Sequence, residues 1–259
     1  GFIHRSAGLG ARLAGTKLFT FSTGELGVLA NMPALGDYEK AFSDHPSAKA
    51  ALVTSPDYFG RTADVRGIKE VCDRLNKLLI VDAAHGAHFA SRPDIFPDGG
   101  EKYADFAVLS AHKTLRAMTQ SAIGAVNNER YFAAYDEAVD LIGTTSPSYR
   151  LLSSLENAIA FEEENKADYD ELADACRELG SRIKCLAVDD PLRIVVDCGA
   201  YGTTGERFYY ECVRNKIMPE TFFGDYCVFI VTLSDKPGKV RGLAEKAERI
   251  LLKKGKRSV

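Results

Sequence analysis

Two stretches decide how this chain reads: "VDAAHGAHFA" over residues 81–90 and "VLSAHKTLRAMTQSA" over residues 108–122. Each begins as an apolar run and ends in a charged side chain, Asp82 in the first and Lys113 in the second. "KLLIVD" (77–82) is nearly continuous in apolar residues, the pattern of a strand in a sheet covered on both faces. "YADFAVLS" (103–110) and "SAIGAV" (121–126) read as further strands. Upstream, "TKLFTF" (16–21) and "AALVTS" (50–55) read the same way. Between them "DVRGIKEVCDRLN" (64–76) carries Val65, Ile68, Val71, Cys72 and Leu75 at helical spacing, with Asp64 as N-cap. Strand, helix and strand in that order predict an α/β unit with a mostly parallel sheet.

The chain of 259 residues allows one large α/β domain or two smaller ones. After Val126 the character changes. "NERYFAAYDEAVDLIG" (128–143) reads as a helix, and residues 146–183 as one or two long helices with Pro147 near the start. "LRIVVDC" (192–198), the turn "GAYGTTG" (199–205) with Thr203 or Thr204 as N-cap, a helix from Glu206, "DYCVFIVTL" (225–233) and a helix from Pro237 make a smaller α+β unit. The boundary falls near residue 145, giving a large unit over 1–144 and a helix plus small α+β unit over 145–259.

Bulk properties exclude several classes. The formal net charge is −3, so no global basic field draws nucleic acid. The basic end "KKGKRSV" is short and reads as a solvated tail. No run of 18 apolar residues and no signal-peptide pattern occurs, so membrane insertion is not expected and a cytoplasmic location is. The six cysteines are scattered without a C-x-x-C pair, which predicts reduced, mostly buried thiols and no zinc site.

In open parallel sheets, ligands bind at the carboxyl ends of the strands. Taken singly, Asp82 reads as a cap of the following turn and Lys113 as surface charge. Together, with Ser110 and His112 beside the lysine, they suit pyridoxal 5′-phosphate (PLP). Its aldehyde takes a lysine of lowered pKa, and its pyridinium nitrogen needs a carboxylate. Ser110 and His112 are placed to donate to its phosphate.

Those residues carry a resemblance. "VDAAHGAHF" followed by "SAHKTLRAMTQSA" resembles the major domain of the prokaryotic Orn/Lys/Arg decarboxylases, which have the PLP-dependent aspartate aminotransferase-like fold. "HPSAKAALVTSPDYFGRTADVRGIKEVC" (45–72) and "GTTSPSYRLLSSLE" (143–156) agree with it. The resemblance implies that Lys113 is the PLP-binding lysine, Asp82 the pyridinium partner, and Ser110 and His112 neighbours of the phosphate. "IHRSAGLGARLAG" (3–15) resembles the family's His-Lys-Ser stretch, with Arg5 in place of the lysine, which implies that His4 stacks on the cofactor ring. His85, three beyond the aspartate, is expected beside the cofactor. His88 is expected to be structural rather than half of a metal pair with His85, and His45 to be exposed. Thr144, Ser146 and Tyr149 resemble a segment that approaches the partner subunit's site, so a homodimer or higher homo-oligomer is implied. Arg193 is a candidate for holding a substrate carboxylate.

The implied activity is decarboxylation of lysine, arginine or ornithine to a polyamine or its precursor. The alternatives are another PLP enzyme of the same fold (aminotransferase, lyase or desulfurase-like) and a non-catalytic piece. The chain begins at Gly1. The family's upstream phosphate-binding turn is not in these residues, so an N-terminally truncated chain is the expectation.

Overall fold

A computed structural model describes residues 3–21, 23–26 and 29–254. In chain order the elements are α1 (Arg5–Leu13), β1 (Glu25–Leu26), β2 (Leu29–Ala30), α2 (Leu35–Asp44), β3 (Ala50–Thr54), α3 (Val65–Arg74), β4 (Leu78–Asp82), β5 (Phe106–Leu109), α4 (Ala111–Thr114), β6 (Ile123–Val126), α5 (Phe132–Ile142), α6 (Tyr149–Asn165), α7 (Asp168–Arg182), β7 (Arg193–Asp197), α8 (Gly205–Arg214), β8 (Thr221–Phe223), β9 (Tyr226–Ile230) and α9 (Pro237–Lys254). The basic tail from residue 255 lies outside the described residues.

The first sheet has the order β3-β4-β5-β6. β3, β4 and β5 run parallel, and β6 returns antiparallel to β5. The alternation along β4 buries Leu79 and Val81. α3 packs Val65, Ile68, Val71 and Cys72 into the same core, each side chain of this size contributing about 1.5–3 kcal/mol when removed from water. Asp64 caps α3 as its sequence predicts, accepting from the Gly67 amide at 2.9 Å. Leu75 falls on the C-cap and is 38% exposed.

A second, antiparallel sheet has the order β7-β9-β8. Its apolar face meets α7, α8 and α9 in a core that holds Leu172, Leu179, Ile194, Phe208, Phe229 and Leu251. Phe89 and Phe96, which follow β4, also belong to this core. The cysteines are all free, five of them buried and Cys185 half-buried. No helix among the described residues is long and apolar enough to cross a membrane.

Three local expectations change. Residues 16–21 form no strand: Phe19 stacks on His45 with centroids 3.9 Å apart, and Phe21 meets Tyr38 edge-on at 5.2 Å. The alternating aromatics of that stretch cover α2, and their backbone has no ladder to join. His45 is consequently half-buried rather than exposed. β6 runs antiparallel because the link after β5 spends its length on α4 and a turn at the same end of the sheet, too little for a crossover back to the other end. α6 begins at Tyr149 rather than 146, with Ser148 at its N-cap, and Pro147 precedes the helix.

The loop after β3 docks on the loop that leads into β7. The Gly60 carbonyl accepts from the amides of Asp189 and Asp190 at 3.1 and 2.9 Å, and Thr62 donates to the Asp189 carboxylate through its amide (2.7 Å) and its hydroxyl (2.9 Å). Gly60 has φ +85°, and a Cβ there would sit 2.7 Å from the Arg193 Cβ. A Gly60→Ala variant combines left-handed strain with a clash and should lose about 2–4 kcal/mol in urea unfolding. A loss near zero would show that the loop does not sit against Arg193.

Candidate functional site

Parallel pairing aligns Thr54 with Asp82 and Asp82 with Val108. Three turns therefore leave the sheet at one edge. They are pinned across the ladder: the Ser55 amide donates to the Asp82 carbonyl at 3.0 Å, and the Ala83 amide to the Val108 carbonyl at 2.9 Å. Asp82 is half-buried, and its Oδ1 accepts from the Ala84 amide at 3.1 Å. On the neighbouring turn Lys113 is half-buried, its Nζ 3.3 Å from His85 Nε2. His85 is only 7% exposed and meets the Tyr58 ring edge-on at 4.9 Å. The Tyr58 hydroxyl donates to Glu220 Oε1 at 2.8 Å, which brings the strand-edge turn before β8 to the same place.

Electrostatics sharpen the cluster. Burial pulls the Lys113 ammonium below the usual lysine range; Asp82 and Glu220 oppose the shift and Arg193 assists it. Burial also takes the His85 imidazole down to about 3, with the positive charges of Arg193 and Lys113 adding to the effect. His85 is therefore neutral, and its Nε2 accepts from the Lys113 ammonium. Tyr58 is pushed up by burial and by its bond to Glu220.

The remaining predicted residues fall into two groups. Ser110 occupies the N-cap of α4, with no side-chain capping bond, and its carbonyl accepts from the Lys113 amide at 3.2 Å. His112 Nδ1 donates to the Ser121 carbonyl at 2.9 Å, which fixes the ring beside the turn. Arg193, at the start of β7, lies fully buried behind His85 and within its electrostatic reach. His88 packs among Phe89, Phe96 and Tyr169, with Nε2 3.4 Å from Asp190 Oδ2.

His4 is not drawn into the cluster. It is exposed and caps α1, with Nδ1 2.7 Å from the Ser6 hydroxyl, and no hydrogen bond among the described residues ties it to Asp82 or Lys113. Thr144, Ser146 and Tyr149 are exposed on the link into α6, where the Ser146 amide donates to Thr144 Oγ1 at 3.1 Å. Tyr149 lines an open groove with Arg116, Met118, Ser154 and Phe161, next to the turn that carries Lys113. The Met118 amide donates to Ser154 Oγ at 2.7 Å, and the Arg116 guanidinium lies 4.2 Å from the Phe161 ring. Sequence reasoning missed Tyr58, Glu220 and Asp190. "SPDYFG" follows a strand end, which is a weak signal for Tyr58. Glu220 and Asp190 carry none.

The donor set fits PLP. An amine of lowered basicity and a carboxylate stand at adjacent strand ends. Around them His85 Nδ1, Thr114 Oγ1, Ser121 Oγ and the Arg193 guanidinium are buried without hydrogen-bond partners among the described residues. Buried polar atoms are costly when unpaired, and those of His85, beside Lys113, and of Arg193, within electrostatic reach of both, mark a place for a polar ligand.

Comparison with known proteins gives the family. The profile described as Orn/Lys/Arg decarboxylase, major domain, matches residues 18–190. An arginine decarboxylase of Bacillus subtilis (strain 168) is 28% identical over 253 residues, covering 87% of this chain and 51% of that protein. An arginine decarboxylase of Halalkalibacterium halodurans is 37% identical over 125 residues, 46% of this chain and 25% of that protein. This chain thus spans about half the length of the first of these relatives. Among solved structures, the SepCysS–SepCysE N-terminal domain complex superposes with a TM-score of 0.72 at 14% identity, over 97% of this chain and 73% of that one. At that identity the match speaks for the fold, that of the PLP-dependent transferases.

A neutral buried histidine has a thermodynamic signature. The unfolded imidazole takes a proton near 6.5, the folded one only near about 3. Between these values the unfolded chain binds more protons, so stability rises with pH across that window, with a limiting slope of about 1.4 kcal/mol per pH unit. Urea unfolding from about pH 4 to pH 6 should show His85→Gln with a shallower dependence than the parent. Equal slopes would mean that His85 is accessible to protons in the folded protein.

Proposed function

The chain belongs to the Orn/Lys/Arg decarboxylase family, and on that premise we propose that it carries the cofactor lysine of a PLP-dependent decarboxylase acting on a basic amino acid. One observation supports this above the others: Lys113, with its basicity lowered by burial, lies within electrostatic reach of Asp82 and beside neutral His85 at the carboxyl ends of adjacent parallel strands. When bound, PLP supplies the electron sink into which the Cα–carboxylate bond of the substrate breaks as CO₂ leaves.

The chain's own groups then have separate tasks. Lys113, its basicity lowered by burial, gives up and takes back a proton at Nζ. Asp82 keeps a proton on the cofactor's ring nitrogen. His85 packs beside the ring without adding charge, and Ser110 and His112 face the phosphate side. Arg193 supplies a planar fork of donors for the substrate carboxylate. Glu220, held by Tyr58, supplies a negative charge for the basic end of the substrate. Lysine, arginine and ornithine all meet these requirements, and each product is a polyamine or its precursor. The protein works in the cytoplasm on this reading.

Borohydride reduction of the protein with PLP, followed by peptide mapping, should leave the pyridoxyl group on Lys113; label on any other lysine overturns the assignment. Asp82→Ala should still bind PLP yet lose roughly a hundredfold or more in turnover, the scale of a lost preorganised charge.

The same reading includes a homodimer. α5 buries none of its residues, and Leu141, Ile142 and Tyr149 are 84%, 83% and 80% exposed around the 144–149 link. A contiguous apolar surface of this kind is covered by protein in a working oligomer. Charged substitution of Leu141 and Ile142 should shift sedimentation from dimer to monomer. A parent protein that sediments as a monomer at micromolar concentration would refute the dimer.

A further inference from the structure

Behind Lys113 and His85 a line of buried polar groups runs between the two sheets. Arg193 begins it. Its side chain is fully buried, and Nε, Nη1 and Nη2 have no hydrogen-bond partner among the described residues. A buried guanidinium is tolerated only beside a negative charge. Three carboxylates lie within its electrostatic reach: Asp190, Glu220 and Asp57. Two of them are committed elsewhere. Asp57 accepts from the amides of Phe59 and Arg61 and from the Arg61 guanidinium. Glu220 accepts from Tyr58 and belongs to an exposed turn.

Asp190 remains, and it is held in place. Its Oδ1 accepts from the Leu192 amide at 2.9 Å, and its own amide donates to the Gly60 carbonyl at 2.9 Å. Its Oδ2 lies 3.4 Å from His88 Nε2 and 3.8 Å from Arg193 Nη2. His88 is in turn boxed by Phe89 and Phe96, with ring centroids at 4.8 and 4.7 Å. A separation of 3.8 Å neutralises the guanidinium without taking its hydrogen bonds. A bidentate pair would have consumed the planar fork.

We propose that Asp190 is the positioning residue of this site: held by the Leu192 amide and the Gly60 carbonyl, with His88 alongside, it fixes the Arg193 guanidinium as a charge-compensated receptor whose donors stay free for the substrate's carboxylate. The proposal rests on the decarboxylase reading for the identity of that carboxylate. The Asp190–Arg193 arrangement itself does not depend on it. Gly60 completes the device, since its missing Cβ is what lets the loop carbonyl reach Asp190 while Arg193 Cβ and Cγ pass alongside.

Two readouts on the chain test the two halves separately. The first is the Arg193 Nε–H signal in a ¹H–¹⁵N spectrum, assigned by its loss in Arg193→Lys. In Asp190→Asn it should move towards the position of solvent-exposed arginines; an unmoved signal overturns the positioning role. The second is calorimetric titration of the PLP-loaded protein with L-arginine, L-lysine and L-ornithine against agmatine, cadaverine and putrescine, which lack the carboxylate. The parent should prefer the best amino acid over its amine, and Asp190→Asn should lose that preference by roughly tenfold to a hundredfold, the value of a charge-assisted hydrogen bond, with amine binding unchanged. Equal losses for acid and amine overturn the proposal. A parent with no preference overturns the carboxylate reading of Arg193, and the spectrum still decides whether Asp190 positions it. Should Asp190→Asn fail to fold, Asp190→Asn/Arg193→Met removes both charges: recovered folding supports the pair, and a double variant no more stable than the single one overturns it.

Discussion

The site depends on the parallel ladder that sets Thr54, Asp82 and Val108 in line. A parallel register fixes which residues emerge together at the carboxyl edge, and a slip by one would move every side chain of β4 to the opposite face. Leu79 and Val81 are buried in the first core, so the register that buries them is also the one that leaves Asp82 half-buried at the rim. The bonds from Ser55 to Asp82 and from Ala83 to Val108 carry the ladder one step past the strands and aim all three turns at a single spot.

From that edge the chain is drawn into the second core. Asp82 and His85 belong to the rim, whereas Phe89 and Phe96 pack with Tyr169 and Leu172. The segment 82–96 therefore ties the strand-end turn to α7. The Gly60 carbonyl makes the reciprocal tie, from the loop after β3 to residues 189 and 190. Asp82 ends a strand of the first sheet and Lys113 sits on α4 after the next strand, Arg193 starts a strand of the second sheet and Glu220 precedes another, and these two ties hold them together. The arrangement accounts for polar residues so deep in the molecule: Asp190, His88 and Arg193 lie at the seam where the two cores meet.

How much of this could be read from the sequence follows the range of the interactions. The strands around Asp82 and Lys113, the α3 cap at Asp64 and the α8 cap at Thr204 rest on neighbours within a few residues, and local pattern reported them. The stretch "TKLFTF" carried a strand pattern that the tertiary structure overrode, because Phe19 and Phe21 found His45 and Tyr38. The direction of β6 was hidden because apolar periodicity is the same in either direction. Tyr58 and Glu220 are 162 positions apart, and nothing local to either announces the other. Resemblance implies a cofactor role for His4; its imidazole caps α1 through Nδ1, and the residue is exposed.

The choice of histidine at position 85 follows from its surroundings. Lys113 and Arg193 both place positive charge on it, and burial removes the water that would screen them. A lysine or arginine there would bring a third cation into a place from which burial has removed the water. A protonated imidazole would do the same, which is why the ring stays neutral until about 3. A neutral imidazole keeps a lone pair on Nε2 for the Lys113 ammonium, and it separates the two cations with a polarisable ring. Lys113 is then balanced between Asp82, which favours its proton, and burial and Arg193, which disfavour it. An amine held at that balance can give up its proton and take it back within one site, which is what a lysine must do if it is to bind a carbonyl group and later be released from it.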